Sequence, residues 1–277
     1  MISDAFPFNL LVIWPSQLWL LAAVCFGTWI LGVITKDTSW VDRIWSIVPI
    51  GYAWLYAAAV NFADPRINLM AVLVTLWGAR LTFNFARKGG YQPGGEDYRW
   101  EVLRQQMTAW QYQVFNIVFI VLIQNVILFL IVTPVGQALR YAGTSFGIID
   151  VAWAALFLGF LALETIADQQ QWNFHQRKKA QLAAGGTPQS RFLKTGLFSI
   201  SRHPNFFSEQ AQWWVLYLWA ASVSGVWLGW FALGAVTLTA LFIGSTRFTE
   251  DITLGKYPEY AEYQKKVSAL IPWFPRR

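Results

Sequence analysis

Seven stretches of this chain are nearly free of charge and about long enough to cross a lipid bilayer: residues 10–34, 44–62, 67–85, 114–135, 148–167, 206–222 and 226–245. A spanning helix needs about 20 mostly apolar residues, because lipid offers no partner for an unpaired backbone group. The rest of the chain cannot compensate with a polar surface. Charged residues make up 13% of the 277 positions, against about 25% in soluble domains. Disorder, coiled coil and an ordinary water-soluble enzyme are excluded together. The 17 tryptophans suit membrane interfaces, where one edge of the ring is wet and the rest apolar. The sequence predicts an all-α polytopic membrane protein with seven transmembrane helices in one domain, 1–277. No internal repeat of the kind that builds inverted-repeat transporters is visible.

Lys and Arg set the expected orientation. With the N-terminus outside, 18 basic residues fall on inner segments and only Arg66 and Arg140 on outer ones. The C-terminus and the long segments 86–113, 168–205 and 246–277 are then cytoplasmic. The net charge of +6 follows from this bias, and no nucleic-acid partner is expected. A soluble cofactor would meet the cytoplasmic face, and a lipophilic molecule would come sideways from the bilayer. With one cysteine, Cys25, and two histidines, neither a disulfide framework nor a zinc site is expected.

Ionisable groups inside spans are costly and point to function. Asp42 and Arg43 stand at the start of the second stretch, between Trp40 and Trp45, and Arg80 lies near the end of the third. Glu164 and Asp168 are one helical turn apart, so they share a face. The densest block is Ser201-Arg-His-Pro-Asn-Phe-Phe-Ser-Glu209. Pro204 suits the first turn of a helix, where its missing N–H costs nothing. Asn205 and Glu209 then share a face, and Arg202 and His203 sit where a helix N-terminus favours an anion. Tyr257, Tyr260 and Tyr263 recur at spacing three in the tail, as interfacial anchors or as a ligand wall. The glycine-rich segment 89–95 lacks the dinucleotide-binding pattern and follows no strand; it reads as a connector, or as a lid over a cofactor.

Together, Trp40-x-Asp42-x-x-Trp45, Trp77-Gly-x-Arg80-Leu, Glu164-x-x-Ala-Asp168-x-Gln, the 195–209 block and the closing Gly255-x-Tyr257 through Ile271-Pro272 resemble the steroid 5-alpha-reductase family, in its bacterial branch. The resemblance implies a membrane oxidoreductase of the bacterial inner membrane. It would use NADPH to reduce the C4–C5 double bond of a 3-oxo-4-ene steroid or similar enone, with hydride going to C5 and a proton to C4. A donor must then stabilise the charge that develops on the 3-oxo oxygen, and Asp42, Tyr52, Tyr56 and Trp77 are the candidates. The resemblance places the cofactor at Asn205, Glu209, Asp168 and Glu164. Arg80, Arg99, Arg177, Lys194, Arg202, His203 and Arg247 are expected toward its phosphates, and Tyr257 and Tyr260 around it. A monomer binding a lipophilic substrate among membrane lipids is expected.

The Arg-His-Pro block is also similar to that of membrane isoprenylcysteine and phospholipid methyltransferases. The alternative is therefore an S-adenosylmethionine-dependent lipid methyltransferase. Charge demand separates the two, since NADPH brings three phosphate groups and the methyl donor is cationic. A non-enzymatic sterol carrier would leave the clustered Glu164, Asp168, Asn205 and Glu209 unexplained.

Overall fold

The computed structural model describes residues 10–275, apart from residues 93 and 189. Every regular element among them is helical. In chain order they are α1 (Leu10–Thr35), α2 (Trp40–Ile44), α3 (Val48–Ala59), α4 (Pro65–Arg87), α5 (Tyr98–Gln105), α6 (Ala109–Phe115), a π-helical stretch Asn116–Ile123, α7 (Gln124–Leu130), α8 (Thr133–Leu139), α9 (Ile148–Ala183), a 3-10 turn Gly196–Ser199, α10 (Pro204–Ser224), a 3-10 turn Trp230–Ala232, α11 (Leu233–Lys256) and α12 (Tyr260–Lys266).

Among the described residues, five helical segments are long and apolar enough to cross a membrane: Pro15–Thr35, Pro65–Arg87, Ala109–Leu139, Ile148–Ala183 and Trp230–Lys256. Two of the seven expected spans are not among them. The second is interrupted before Pro49, which sits in the first turn of α3, and it ends where Asn61 and Phe62 turn left-handed at φ 50° and 59°. The 12 residues of α3 reach only about 18 Å at 1.5 Å per residue. The sixth, α10, has 21 residues, but Ser208, Glu209, Gln210 and Gln212 lower its hydropathy.

The chain divides into two compact units, each drawn from two stretches of sequence. One comprises the residues through Gly147 with Trp219–Gly234, and the other comprises Ile148–Leu218 with the residues from Ala235 onward. In the first, α4 begins at Asp64, whose carboxylate accepts from the backbone N–H of Arg66 and Ile67, as an N-cap should. Its core holds Tyr52, Ile67, Met70, Leu73, Trp77, Leu128 and Ile131, all fully buried. Gly78 lets α4 approach the segment before α3 closely, since an added Cβ would lie 2.3 Å from the Ser46 carbonyl oxygen. The glycine-rich connector is fastened to this unit: Arg43 Nε donates to the Gly90 carbonyl at 3.1 Å, and the Tyr91 hydroxyl donates to the Arg43 carbonyl at 3.0 Å.

In the second unit, α9 and α10 meet along a polar seam, and Phe157, Trp213 and Leu238 are buried. Tyr260 and Tyr263 of α12 pack with Val267 against Phe192 and Leu254.

Candidate functional site

Two groups of polar residues in the second unit carry candidate chemistry. The first is the α9–α10 seam. Glu164 and Asp168 lie one turn apart on α9 and both are buried. Asn205 Nδ2 donates to Asp168 Oδ1 at 3.2 Å. Gln212 Nε2 donates to Glu164 Oε2 at 2.7 Å. Glu209, also buried, sits on the same α10 face between those two amides and accepts from Trp213 Nε1 at 3.1 Å. The expected shared faces are therefore present, and Gln212 completes the seam. An amide one turn beyond an intramembrane acid was the signal that would have singled it out.

The second neighbourhood centres on Glu250. Arg202 holds its carboxylate in a fork, Nε to Oε1 at 2.6 Å and Nη2 to Oε2 at 2.8 Å. His203 Nε2 lies 2.9 Å from Oε1, Gln264 Nε2 donates to Oε2 at 2.9 Å, and the Tyr260 hydroxyl donates to Oε1 at 3.3 Å. Arg202 Nη1 donates to the carbonyls of Gln264, at 3.0 Å, and Val267. Four of the five N–H groups of a guanidinium are thus committed within the protein. Burial opposes the Arg202 charge, but the Glu250 hydrogen bond and charge outweigh it and raise its pKa. Burial raises the Tyr260 hydroxyl, and the Glu250 charge adds to this.

The groups expected to cradle phosphate are engaged within the protein. Arg202 and His203 are spent on Glu250, and the backbone N–H groups before α10 are spent as well. Arg202 N donates to the Ser268 carbonyl at 2.8 Å and His203 N to that of Ala269 at 3.1 Å. Pro204 does open the helix, as expected. Glu250 was overlooked because the apolar run ends at 245 while α11 continues to Lys256. An acid so close to a span was the available signal.

Of the other expected cofactor contacts, Arg177, Lys194 and Arg247 are exposed. Tyr260 belongs to a packed aromatic cluster. Tyr257 precedes α12, and its hydroxyl accepts from Lys178 Nζ at 3.2 Å, with that ammonium 5.1 Å from the ring centre.

The remaining expected residues lie in the first unit. Arg80 is half-buried on α4. Arg99 forms a paired contact with Asp97, Nε to Oδ1 at 2.9 Å and Nη2 to Oδ2 at 2.7 Å. Burial opposes its charge too, and Asp97 raises its pKa on balance. Asp42 accepts from Trp100 Nε1 at 2.7 Å. Its surroundings desolvate it and push its pKa up to about 6, although the Trp100 bond pulls the other way. Trp77 is core. Tyr56 packs so tightly on Gly136 that an added Cβ there would lie 2.7 Å from its ring. Tyr52 is fully buried, and its ring meets Phe129 edge-on at 5.4 Å.

The chain is 39% identical to the Schizosaccharomyces pombe protein "Uncharacterized protein C594.04c", over 93% of this chain and 80% of that one. It is 28% identical to Methanethiol S-methyltransferase 1 of Bradyrhizobium diazoefficiens, over 46% of this chain and 41% of that protein. The activity named among these relatives is methyl transfer, and the steroid-reductase resemblance gains no support from them. No solved structure matches the chain. The family described as "Protein of unknown function (DUF1295)" matches residues 28–267, and the chain belongs to that family.

Proposed function

We propose that this chain is a membrane-embedded methyltransferase that takes its methyl group from S-adenosylmethionine. The observation that carries the reading is the α9–α10 seam. It buries three carboxylates, Glu164, Asp168 and Glu209, beside an Arg-His pair already committed to Glu250. Buried carboxylates suit a cationic ligand, because opposite charges attract strongly where water is excluded. The phosphates of NADPH would instead call for free guanidinium groups, and Arg202, the arginine nearest the start of α10, is committed to Glu250. The likeness to a methanethiol S-methyltransferase supports the same class.

S-adenosylmethionine, when bound, supplies a methyl group on a positively charged sulfur that leaves as a neutral thioether. The chain's part is to bind and orient. Asn205 and Gln212 fix Asp168 and Glu164, so the carboxylates face their ligand in set rotamers. Trp213 does the same for Glu209. Such preorganised positioning is the main lever a protein has on a displacement reaction. The acceptor is a lipophilic or small thiol-type nucleophile reaching the site from the bilayer.

Thermal unfolding of purified protein with S-adenosylmethionine, S-adenosylhomocysteine, NADPH and NADH tests this, because a ligand that binds only the folded state raises the melting temperature. Stabilisation by the first two, followed by transfer of labelled methyl to alkyl thiols, is the expected result. Stabilisation by NADPH alone would overturn it and restore enone reduction.

A further inference from the structure

Past Lys256, where the last long apolar helical segment ends, three large apolar side chains stand exposed among the described residues. They are Ile271, Trp273 and Phe274, at 66%, 70% and 84% exposure. All three belong to the stretch 271–275, which forms no helix. Exposed apolar side chains on a spanning helix meet lipid tails. These three lie outside every spanning segment, where water would be the default contact, and an exposed apolar patch rimmed by polar residues marks an interaction surface.

The stretch is held in place rather than trailing. Trp273 N donates to the Ile200 carbonyl at 2.9 Å, and the Ser201 hydroxyl donates to the Leu270 carbonyl at 2.7 Å. The Ser268 hydroxyl donates to the Ile271 carbonyl. Pro272 and Pro275 have no N–H to satisfy. Much of the backbone polarity that would hold this stretch in water is therefore already spent or missing.

Its depth follows from a chain of contacts within the second unit. Arg202 directly follows Ser201, and its guanidinium lies 2.6 Å from Glu250 of α11. The apolar run of that helix ends at 245, and Glu250 stands about 7.5 Å further along the axis at 1.5 Å per residue. The head-group layer occupies roughly 5–8 Å outside the hydrocarbon on each side, so this is head-group depth. Tryptophan favours that layer, because its ring is apolar and its N–H polar. Charge agrees. From Tyr260 onward the sequence carries Lys265, Lys266, Arg276 and Arg277 against the single acid Glu262, and basic residues beside a bilayer are drawn to anionic lipid.

We infer that Ile271, Trp273 and Phe274 are an interfacial anchor, inserted into the head-group layer of the bilayer that the chain itself crosses. The partner is lipid, and the start of α10 is thereby tied to the membrane surface through Ile200 and Ser201. The anchor does not depend on the methyl-transfer reading.

The test puts an environment-sensitive fluorophore on the stretch. Cys25 is the one cysteine in the sequence, so Cys25→Ser combined with Phe274→Cys gives a single labelling position on the full chain. Phe274 is the most exposed of the three, and its replacement leaves the packing intact. The labelled protein is placed in nanodiscs of phosphatidylcholine and phosphatidylglycerol. Lipid carrying a nitroxide near the head group should quench the label about 2-fold more than lipid carrying it at the chain end, as for an apolar group buried ~5–10 Å into the boundary. Aqueous iodide should quench it weakly, and a label at Ile271→Cys should behave alike. Strong iodide quenching with weak lipid quenching would put the stretch in water and overturn the anchor. Protection from both quenchers would mean that protein covers it, a second copy included, and would overturn the anchor as well. Stronger quenching from the chain end would overturn the head-group depth.

Discussion

Arg202 grips Glu250 by both carboxylate oxygens, at 2.6 and 2.8 Å, with side chains only 10% and 8% exposed. Removing one member of such a pair strands the other's charge in a poorly hydrated place. Arg202→Met and Glu250→Gln should each cost roughly 3 kcal/mol of stability. The double variant should cost less than the sum, because one network is lost either way. A double-mutant cycle on unfolding midpoints checks this, and Arg202→Lys, lacking the planar fork, should recover only part of the loss.

The charge of Asp168 is the second target. Asp168→Asn keeps an oxygen to accept from Asn205 Nδ2 but removes the carboxylate charge. S-adenosylmethionine should bind on the order of 10-fold more weakly, a loss of about 1.4 kcal/mol. S-adenosylhomocysteine, uncharged at sulfur, should lose less. Calorimetric titration of both ligands against wild type and variant gives the comparison.

Asp42 makes stability depend on pH in a defined window. Its folded pKa of about 6 lies above the ordinary carboxyl value of 3.8, so the folded state holds the proton more tightly than the unfolded chain. The resulting stabilisation is complete below about pH 4 and disappears as pH rises through about 6. Asp42→Asn, neutral throughout, lacks this dependence. Wild type minus variant should therefore fall by a few degrees in melting temperature from pH 4 to pH 7 and stay level above.

Gly78→Ala forces a Cβ to within 2.3 Å of the Ser46 carbonyl and 2.6 Å of Ile50 Cδ1. Overpacking of this kind typically costs 1–3 kcal/mol. Ile50→Ala removes the flexible half of the clash and leaves the backbone half, so the double variant should remain less stable than Ile50→Ala alone. Melting temperatures of the three variants settle the point.

Hydropathy located the helices well where a span and a helix coincide, as in α1 and α4. It failed where they do not. The fifth stretch stops at 167 because Asp168 and the glutamines after it are polar, yet α9 runs on to Ala183. Gln, Lys and Arg are good helix formers, and no breaker comes before Gly185 and Gly186. The same mismatch hid Glu250. The Glu164/Asp168 and Asn205/Glu209 pairs were legible because residues four apart must share a helix face. Their partner Gln212 was not, since pairing across two helices depends on how those helices pack. The Arg202–Glu250 pair was not legible for the same reason: a helix start attracts anions, and nothing local says that a carboxylate from 48 positions later will arrive there. Tyr260 and Tyr263 were ambiguous for want of knowing that Phe192 would pack against both rings.

The mouth of α10 is fastened by the last part of the chain. Ser268 and Ala269 accept from the backbone of Arg202 and His203, Leu270 accepts from the Ser201 hydroxyl at 2.7 Å, and Trp273 donates to the Ile200 carbonyl at 2.9 Å. A chain truncated before residue 268 would keep the five long apolar helical segments named above and lose this clasp.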